Sequence, residues 1–470
     1  MLKWLDNAIR FACYITYSNL EFGLFVGNIF NLYQFLLLLS FFVVLCSWIY
    51  LITISLKSYI VVPTIRTVIS NKRTGNGHSY YLTKGLFLNK SIAVTTDLSS
   101  NDFPFLSIIV PARNEEATIE NCIRSLMAQN YPHFEVIAID DSSTDNTLSI
   151  LINLTDKLSQ SELSSSPSLT IKNTNLKIIS MKDKPQDWKG KTWAMQQGYL
   201  QSKGDILLFT DADTKYISKD ALQLTVSYMQ KEKLDALTST LFTELRDFLS
   251  KTVMPLWAIF SVIFGRNASK MNNPKSKVAY LLGAFIMIKR KVLEDIGTFD
   301  SVRNEIQEDK VLGEHLKYRG FKVKIIKTHD LISGLWSRDP SSLWYGIERT
   351  LAPVIKANKL EVLCNLIIVF FMTSLPFLTL PYTIWLIAIN KKVFLFDDTG
   401  LLFYLNILVC IIVIGAAATK DIRKYKISPI YSVFAVLASF FIVVAHLNAL
   451  LQFGLNDQKP IPWRGRKTQA

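Results

Sequence analysis

The 470-residue sequence predicts an α/β domain on a mostly parallel sheet, with one N-terminal and about three C-terminal transmembrane helices. Three observations carry this expectation. Short apolar runs alternate with helical segments between residues 105 and 240, the rhythm of parallel strands joined by helices. Uncharged stretches of bilayer length stand on both sides of that region. Charged residues close successive strands, at the carboxyl edge where open α/β sheets hold ligands.

Bulk properties narrow the function classes. Half of the residues are hydrophobic and the mean hydropathy is +0.24, which suits an integral membrane protein. The formal charge is +14. Its basic residues are scattered and gather best beside apolar spans, a pattern of positive-inside flanks and anionic-lipid contact, not of nucleic-acid binding. The five cysteines form no CxxC pair, so neither a disulfide framework nor a zinc site is implied.

Residues 1–60 form an N-terminal segment in which Phe35 to Ile54 is long enough to cross a bilayer. Lys57, Arg66, Lys72 and Arg73 follow it, so the remainder is expected on the cytoplasmic side. A polar connector is expected over 61–103. The α/β domain is expected over 104–358, with strands at 105–110, 134–139, 176–180, 206–209 and 234–240. Helices are expected near 116–129, 147–158, 191–202 and 221–231. Two amphipathic or short apolar segments, 253–264 and 341–357, read as interfacial helices. Residues 359–470 carry further spans at 362–389, 401–418 and 429–453 and a basic tail. Taking 362–389 as one helix puts that tail outside, against the charge rule; a re-entrant segment would change the parity.

The chemistry-bearing residues sit at the strand ends. Arg113 and Glu115 follow the first strand, Asp140 and Asp141 the second, and Lys191 opens the helix after the third. Asp211 and Asp213 close the strand 206–209. Alternate residues of an extended chain point the same way, so this pair can aim oxygens at one hard cation. Any one of these alone is an ordinary turn or cap. Their convergence on one crevice is what marks a site.

The segments Ile109–Glu116, Ile139–Asp145, Gly190–Ala194, Thr210–Asp213 and Gln307–Asp309 occur in an order that resembles the family 2 glycosyltransferases, nucleotide-sugar-dependent enzymes of the GT-A fold. The likeness covers about residues 105–350. Within the family it is similar to the membrane-anchored branch of hopanoid-associated and carotenoid-type enzymes and, more distantly, ceramide glucosyltransferase. The resemblance implies that Pro111, Arg113, Glu115, Asp141, Lys191 and Asp211 bind the nucleotide sugar. It implies Asp213 and Asp211 as ligands of Mg²⁺ or Mn²⁺, and Asp309 as the base that deprotonates an acceptor hydroxyl. Gly283, Glu308 and Trp344 would lie on the acceptor side. Gln196 departs from the pattern, which often has Asn there. A Gln-x-x-Arg-Trp pentapeptide of processive synthases is missing, which favours transfer of a single sugar.

The expected function is inverting transfer from a nucleotide-sugar donor, a UDP-sugar, to a lipid or polyprenoid hydroxyl at the cytoplasmic membrane face. A processive polysaccharide synthase is the second enzyme reading. A non-catalytic transport or scaffold protein is the reading from another class; it predicts ionisable groups inside the spans, which hold little beyond His446.

Overall fold

The structure, a computed structural model, describes residues 25–66, 79–83, 91–95, 103–163, 175–260, 267–390, 398–420, 424–455, 461–463 and 466–468. Helix α1 (Phe25–Val61) leads into three short strands, β1 (Thr64–Arg66), β2 (Ser79–Thr83) and β3 (Ser91–Thr95). The α/β core then runs β4 (Leu106–Ala112), α2 (Ile119–Met127), β5 (Phe134–Asp141), α3 (Thr147–Leu163), β6 (Leu176–Met181), α4 (Gly190–Gln201) and β7 (Ile206–Phe209). It continues through β8 (Thr214–Tyr216), α5 (Ala221–Lys231), β9 (Ala236–Thr240), β10 (Phe242–Glu244), α6 (Phe248–Phe260), β11 (Ile286–Lys289), α7 (Glu308–Tyr318), β12 (Val323–Lys327), β13 (Ile332–Leu335) and α8 (Pro340–Ala357).

Among the described residues, ten strands make one sheet, in the order β3-β2-β1-β12-β9-β11-β7-β4-β5-β6. Strands β7, β4, β5 and β6 are parallel, as the sequence rhythm requires. Strand β11 enters antiparallel between β7 and β9. The side-chain period of two splits the apolar runs between the faces. Ile108, Val136 and Leu208 join one core, while Ile109, Ile137 and Leu207 join the other. Burial of each such side chain contributes about 1.5–3 kcal/mol.

Two expectations need correction. The connector 61–103 is not merely polar linker: β1 pairs with β12, and β2 and β3 extend that edge. Their β-branched and aromatic residues are diluted by Gly, Asn and Ser, which hid the strand signal. The segment expected to lie on a bilayer surface at 253–264 is helix α6, and its residues Val253 to Phe260 are all buried. A helix apolar all round belongs inside a protein; α6 packs against α8 and the helices below. Residues 261–264 lie outside the described part.

The remaining helices are α9 (Lys359–Val369), α10 (Leu375–Asn390), α11 (Asp398–Lys420) and α12 (Ala435–Gly454). Helices α9 and α10 join through a π-helical turn, Phe370–Ser374, without a break at Pro376. Such a turn accommodates the missing proline N–H. Four stretches, Phe35–Lys57, Lys359–Ile389, Gly400–Lys420 and Pro429–Gly454, are long and apolar enough to cross a membrane. Helix α12 runs beside α8: Phe441 meets Trp344 edge-on at 5.3 Å, and Gly454 lies against Ile355.

Gly204 sets the approach of the turn before β7 to β4. A Cβ there would stand 2.5 Å from Ser107 N and 2.8 Å from Phe105 O, both backbone atoms that cannot yield. Gly204→Ala is expected to destabilise the domain by about 1–3 kcal/mol, read as an earlier denaturant midpoint. Unchanged unfolding would show that this approach does not constrain the fold.

Candidate active site

The carboxyl ends of β4 and β5 build one wall. Pro111 in β4 is in register with Ile139 in β5. The Arg113 guanidinium donates to the carbonyls of Asp141 and Ser142, tying the two strand ends together. Asn114 and Ser142 hold left-handed backbone, with φ of 52° and 51°. Asparagine tolerates that region better than most residues, and its side-chain oxygen accepts from Thr144 N at 2.8 Å. Glu115 is buried, and its carboxylate accepts from Thr118 Oγ1 at 2.8 Å and from the guanidinium of Arg338. Asp141 is buried at the end of β5.

The second wall gathers the acids around one ammonium. Lys191, in the first turn of α4, places Nζ 2.7 Å from Asp211 Oδ1 and 3.5 Å from Glu308 Oε1. Burial works to lower its pKa, but Asp211 and Glu308 outweigh burial and hold it above the ordinary lysine value. Burial raises the Glu308 carboxyl above its usual range, with Lys191 opposing. Asp309 receives a backbone N–H on each oxygen, from Gly283 at 3.1 Å and from Lys310 at 2.8 Å. Those two bonds orient the carboxylate and leave its remaining lone pairs for a hydroxyl proton.

The glycine-containing segment is pinned from three sides. Thr210 Oγ1 donates to Ala284 O, Leu282 N donates to Thr238 Oγ1, and Leu281 N donates to Asp309 O. Gly313 lets α7 come close, since a Cβ there would lie 2.8 Å from Tyr280 Cα. Beneath the Asp211–Asp213 turn lies Cys122. Burial pushes its thiol up to about 12, Thr214 opposes through a hydrogen bond, and Asp213, Glu115 and Asp211 add to the rise. The acids of both walls therefore act on one buried thiol.

Lys191, Asp211, Gly283, Glu308 and Asp309 thus meet in one place, while Arg113, Glu115 and Asp141 form the adjoining wall. The Asp213 carbonyl accepts from Leu335 N at 3.2 Å, which seats the turn on β13. Trp344 is not part of that cluster. Its indole donates to Glu348 Oε1 at 2.8 Å, and it lines a cleft with Leu249, Pro340, Tyr345 and Phe441. Gln196 accepts from Phe299 N at 3.2 Å, a bond that holds the backbone before α7. Arg338, in Trp336-Ser-Arg338, lies where the pentapeptide of processive synthases would stand but with different spacing, and only the fold brings it to Glu115.

Among the described residues, no group of three or more His, Cys, Asp or Glu side chains could hold a metal ion by itself. Asp211 and Asp213 offer hard carboxylate oxygens one residue apart. That donor set fits Mg²⁺ or Mn²⁺ shared with phosphate oxygens, and not a closed protein cage.

Gly283 gives a direct test of the cluster. A Cβ there would stand 2.7 Å from Lys191 Nζ, 3.7 Å from Asp309 Oδ2 and 3.9 Å from Glu308 Oε1. The flexible lysine end can move aside, so Gly283→Ala is expected to fold normally. Turnover should fall about 10- to 100-fold, the usual cost of a displacement near 1 Å at reacting groups. Full turnover with an unchanged melting temperature would remove the cluster from catalysis.

Residues 107–297 match the family profile described as "Glycosyl transferase family 2". A probable glycosyltransferase, YdaM, from Bacillus subtilis (strain 168) is 23% identical over 293 residues, 59% of this chain and 64% of that protein. The poly-beta-1,6-N-acetyl-D-glucosamine synthase of Staphylococcus epidermidis is 22% identical over 292 residues, 60% of this chain and 64% of that protein. The chain therefore spans somewhat less than two thirds of the length of these relatives, 64% in each case. Among solved structures, mannosyltransferase PcManGT from Pyrobaculum calidifontis, in complex with GDP-Man and Mn²⁺, has 17% identity and a TM-score of 0.41, covering 70% of this chain and 90% of that one. Residues 107–297, which hold strands β4 to β7, Lys191 and the strand-end acids Asp141, Asp211 and Asp213, form the part of this chain that matches glycosyl transferase family 2.

Proposed function

We propose that this chain is an integral-membrane inverting transferase that moves one sugar from a nucleotide-sugar donor, a UDP-sugar, to a lipid or polyprenoid hydroxyl. The observation that carries the reading is the sharing of Lys191 between Asp211 and Glu308, next to Asp309. Donor-side and acceptor-side acids then face one crevice, as in-line displacement at an anomeric carbon requires. The Asp141 end of β5 and the Arg113–Glu115 turn would hold the base and ribose. Asp211 and Asp213 would hold a divalent cation against the diphosphate. When bound, that cation supplies Lewis-acid stabilisation of the leaving diphosphate.

The protein's own residues do the rest. Lys191 adds a fixed positive charge beside the diphosphate position. Asp309, oriented by Gly283 N and Lys310 N, accepts the acceptor hydroxyl's proton as the new glycosidic bond forms. Glu308 keeps Lys191 in place from the acceptor side. The lipid acceptor is supported by placement: α8 reaches from the site to the apolar helices, with Gln307 Nε2 donating to Thr350 O at 3.2 Å. The proposed location is a multi-pass membrane protein with its catalytic domain in the cytoplasm.

The relatedness to the poly-N-acetylglucosamine synthase favours a second reading, repeated transfer onto a growing polymer. Mass spectrometry of lipid extracts after incubation with purified full-length protein and UDP-sugars separates the two. One added hexose-type mass supports single transfer, whereas a ladder supports polymerisation.

Asp309→Asn should retain donor binding and lose about 10²–10⁴-fold in transfer rate. Undiminished turnover would end its role as base. Excess chelator should stop transfer by the wild-type protein, and Asp213→Ala should do so in the presence of added Mn²⁺. Activity that persists in chelator would remove the cation.

A further inference from the structure

The start of α7 is held from three directions, and each anchor belongs to a different part of the chain. Glu308 reaches Lys191 on the donor side at 3.5 Å. Asp309 is gripped by the segment before β11. Leu281 N donates to its carbonyl and Gly283 N to its carboxylate, while Leu282 N donates to Thr238 Oγ1 in β9. The third anchor is Gln307, whose Nε2 donates to the Thr350 carbonyl in α8 at 3.2 Å. Only the amide nitrogen of a glutamine side chain can donate to a carbonyl, so the partner fixes which way that side chain faces.

Gln307 occupies the capping position of α7, yet its side chain takes no part in the cap. Its backbone carbonyl accepts from Lys310 N at 3.1 Å and from Val311 N at 3.2 Å. Ser, Thr, Asp and Asn suit such a position because their short side chains reach back to the first turn. A glutamine there forgoes that bond and uses its longer reach on another helix. The receiving stretch of α8 is suited to it. Pro353 lies inside α8 and has no N–H to donate to the Arg349 carbonyl one turn back, which opens the backbone ladder beside Thr350 to a side chain from outside. Independently, Ile306 packs against the apolar cluster to which Leu343, Ile347 and Leu351 of α8 belong. Two adjacent residues thus dock on α8, one by a hydrogen bond and one by apolar contact.

We infer that Gln307 is a positioning residue, which sets the aim of the Asp309 carboxylate by tying the start of α7 to α8. The inference rests on the reading of Asp309 as the base. Asp309 is two residues on, in the first turn, so a shift at the cap is carried to its carboxylate. Helix α8 is itself joined to α12 through Glu348 and Asn448. The base therefore takes its place from the apolar helices as well as from the sheet. With Gln307 released, the first turn can rotate about the bond from Leu281 N to Asp309 O, which draws the carboxylate away from Gly283 N.

The test uses full-length protein in discs of phosphatidylcholine and phosphatidylglycerol. Hydrogen exchange reads the aim directly. In Gln307→Ala the peptide containing Gly283 should exchange about ten-fold faster, with β4 and β5 protected as in the wild type. Binding of UDP should be unchanged. Turnover is read as UDP release from UDP-glucose and from UDP-N-acetylglucosamine, each with a mixed lipid extract. It should fall roughly ten-fold in kcat with the donor KM unaltered. Gln307→Glu keeps the side-chain volume and loses the donated N–H, so it should repeat both effects should the alanine variant fold poorly. Because Gln307 acts through Asp309, adding Gln307→Ala to Asp309→Asn should cost nothing further. Unchanged exchange at Gly283 in both Gln307 variants would overturn the positioning role, as would a loss that multiplies fully with that of Asp309→Asn. Faster exchange at Gly283 with undiminished turnover would instead overturn the reading of Asp309 as base, so the two failures are distinguishable.

Discussion

The crevice depends on one ammonium. Asp211, Glu308 and Asp309 come from the ends of distant elements, and without a counter-charge their mutual repulsion would push those elements apart. Two like charges 4 Å apart repel by roughly 4 kcal/mol at an effective dielectric of 20. Lys191 reaches Asp211 and Glu308 at once, so the donor-side turn and the start of α7 can share a small volume. The lysine is also why a glycine stands at 283, where any side chain would displace the ammonium. Chemistry and packing meet in the same few ångströms.

Helix α8 extends that constraint outward. Its N-terminus is fixed by a capping box between Asp339 and Ser342, and the residue before the cap, Arg338, pairs with Glu115 in the wall formed by the ends of β4 and β5. Its middle is tied to α12: Glu348 is buried and accepts from Trp344 and from Asn448. Near its end the Thr350 carbonyl accepts from Gln307, two residues before Asp309. One helix and its cap thus connect Glu115, the backbone just before Asp309 and the apolar helices. A carboxylate buried among neutral donors is tolerated because its hydrogen bonds are met, and these bonds add to the apolar contacts that join α8 to α12.

What the sequence disclosed follows from range. The parallel strands were legible because Ile-Val-Leu runs of strand length alternate with helices, and the site acids because they end those runs. The helix after Glu308 and Asp309 was legible in the chain, but the role of those two acids only through the family resemblance, since an acidic first turn is ordinary helix chemistry. Strands β1 to β3 were lost in a polar background, and β11 gains its place only by pairing with β7 and β9. Arg338, Glu348 and the Lys191–Glu308 contact join residues more than 100 positions apart or across separate elements. No local pattern encodes them.

The last apolar helix shows why length and composition identify candidate spans without counting crossings. Helix α12 starts beside α6, where Phe434 meets Phe248 edge-on at 5.1 Å, and ends beside α8 at Ile355. Both neighbours are elements of the catalytic half of the chain. Along its length Ser439, His446 and Ala449 are buried in protein, while Leu437, Val444, Leu447 and Leu451 form an exposed apolar face. A helix whose two ends rest on one body can lie beneath that body instead of leading away from it. Under the proposed membrane reading, the strand Arg466–Thr468 then stays on the catalytic side. Clustered lysine and arginine favour the cytoplasmic side of a bilayer, which is the side the proposed reading gives the catalytic domain.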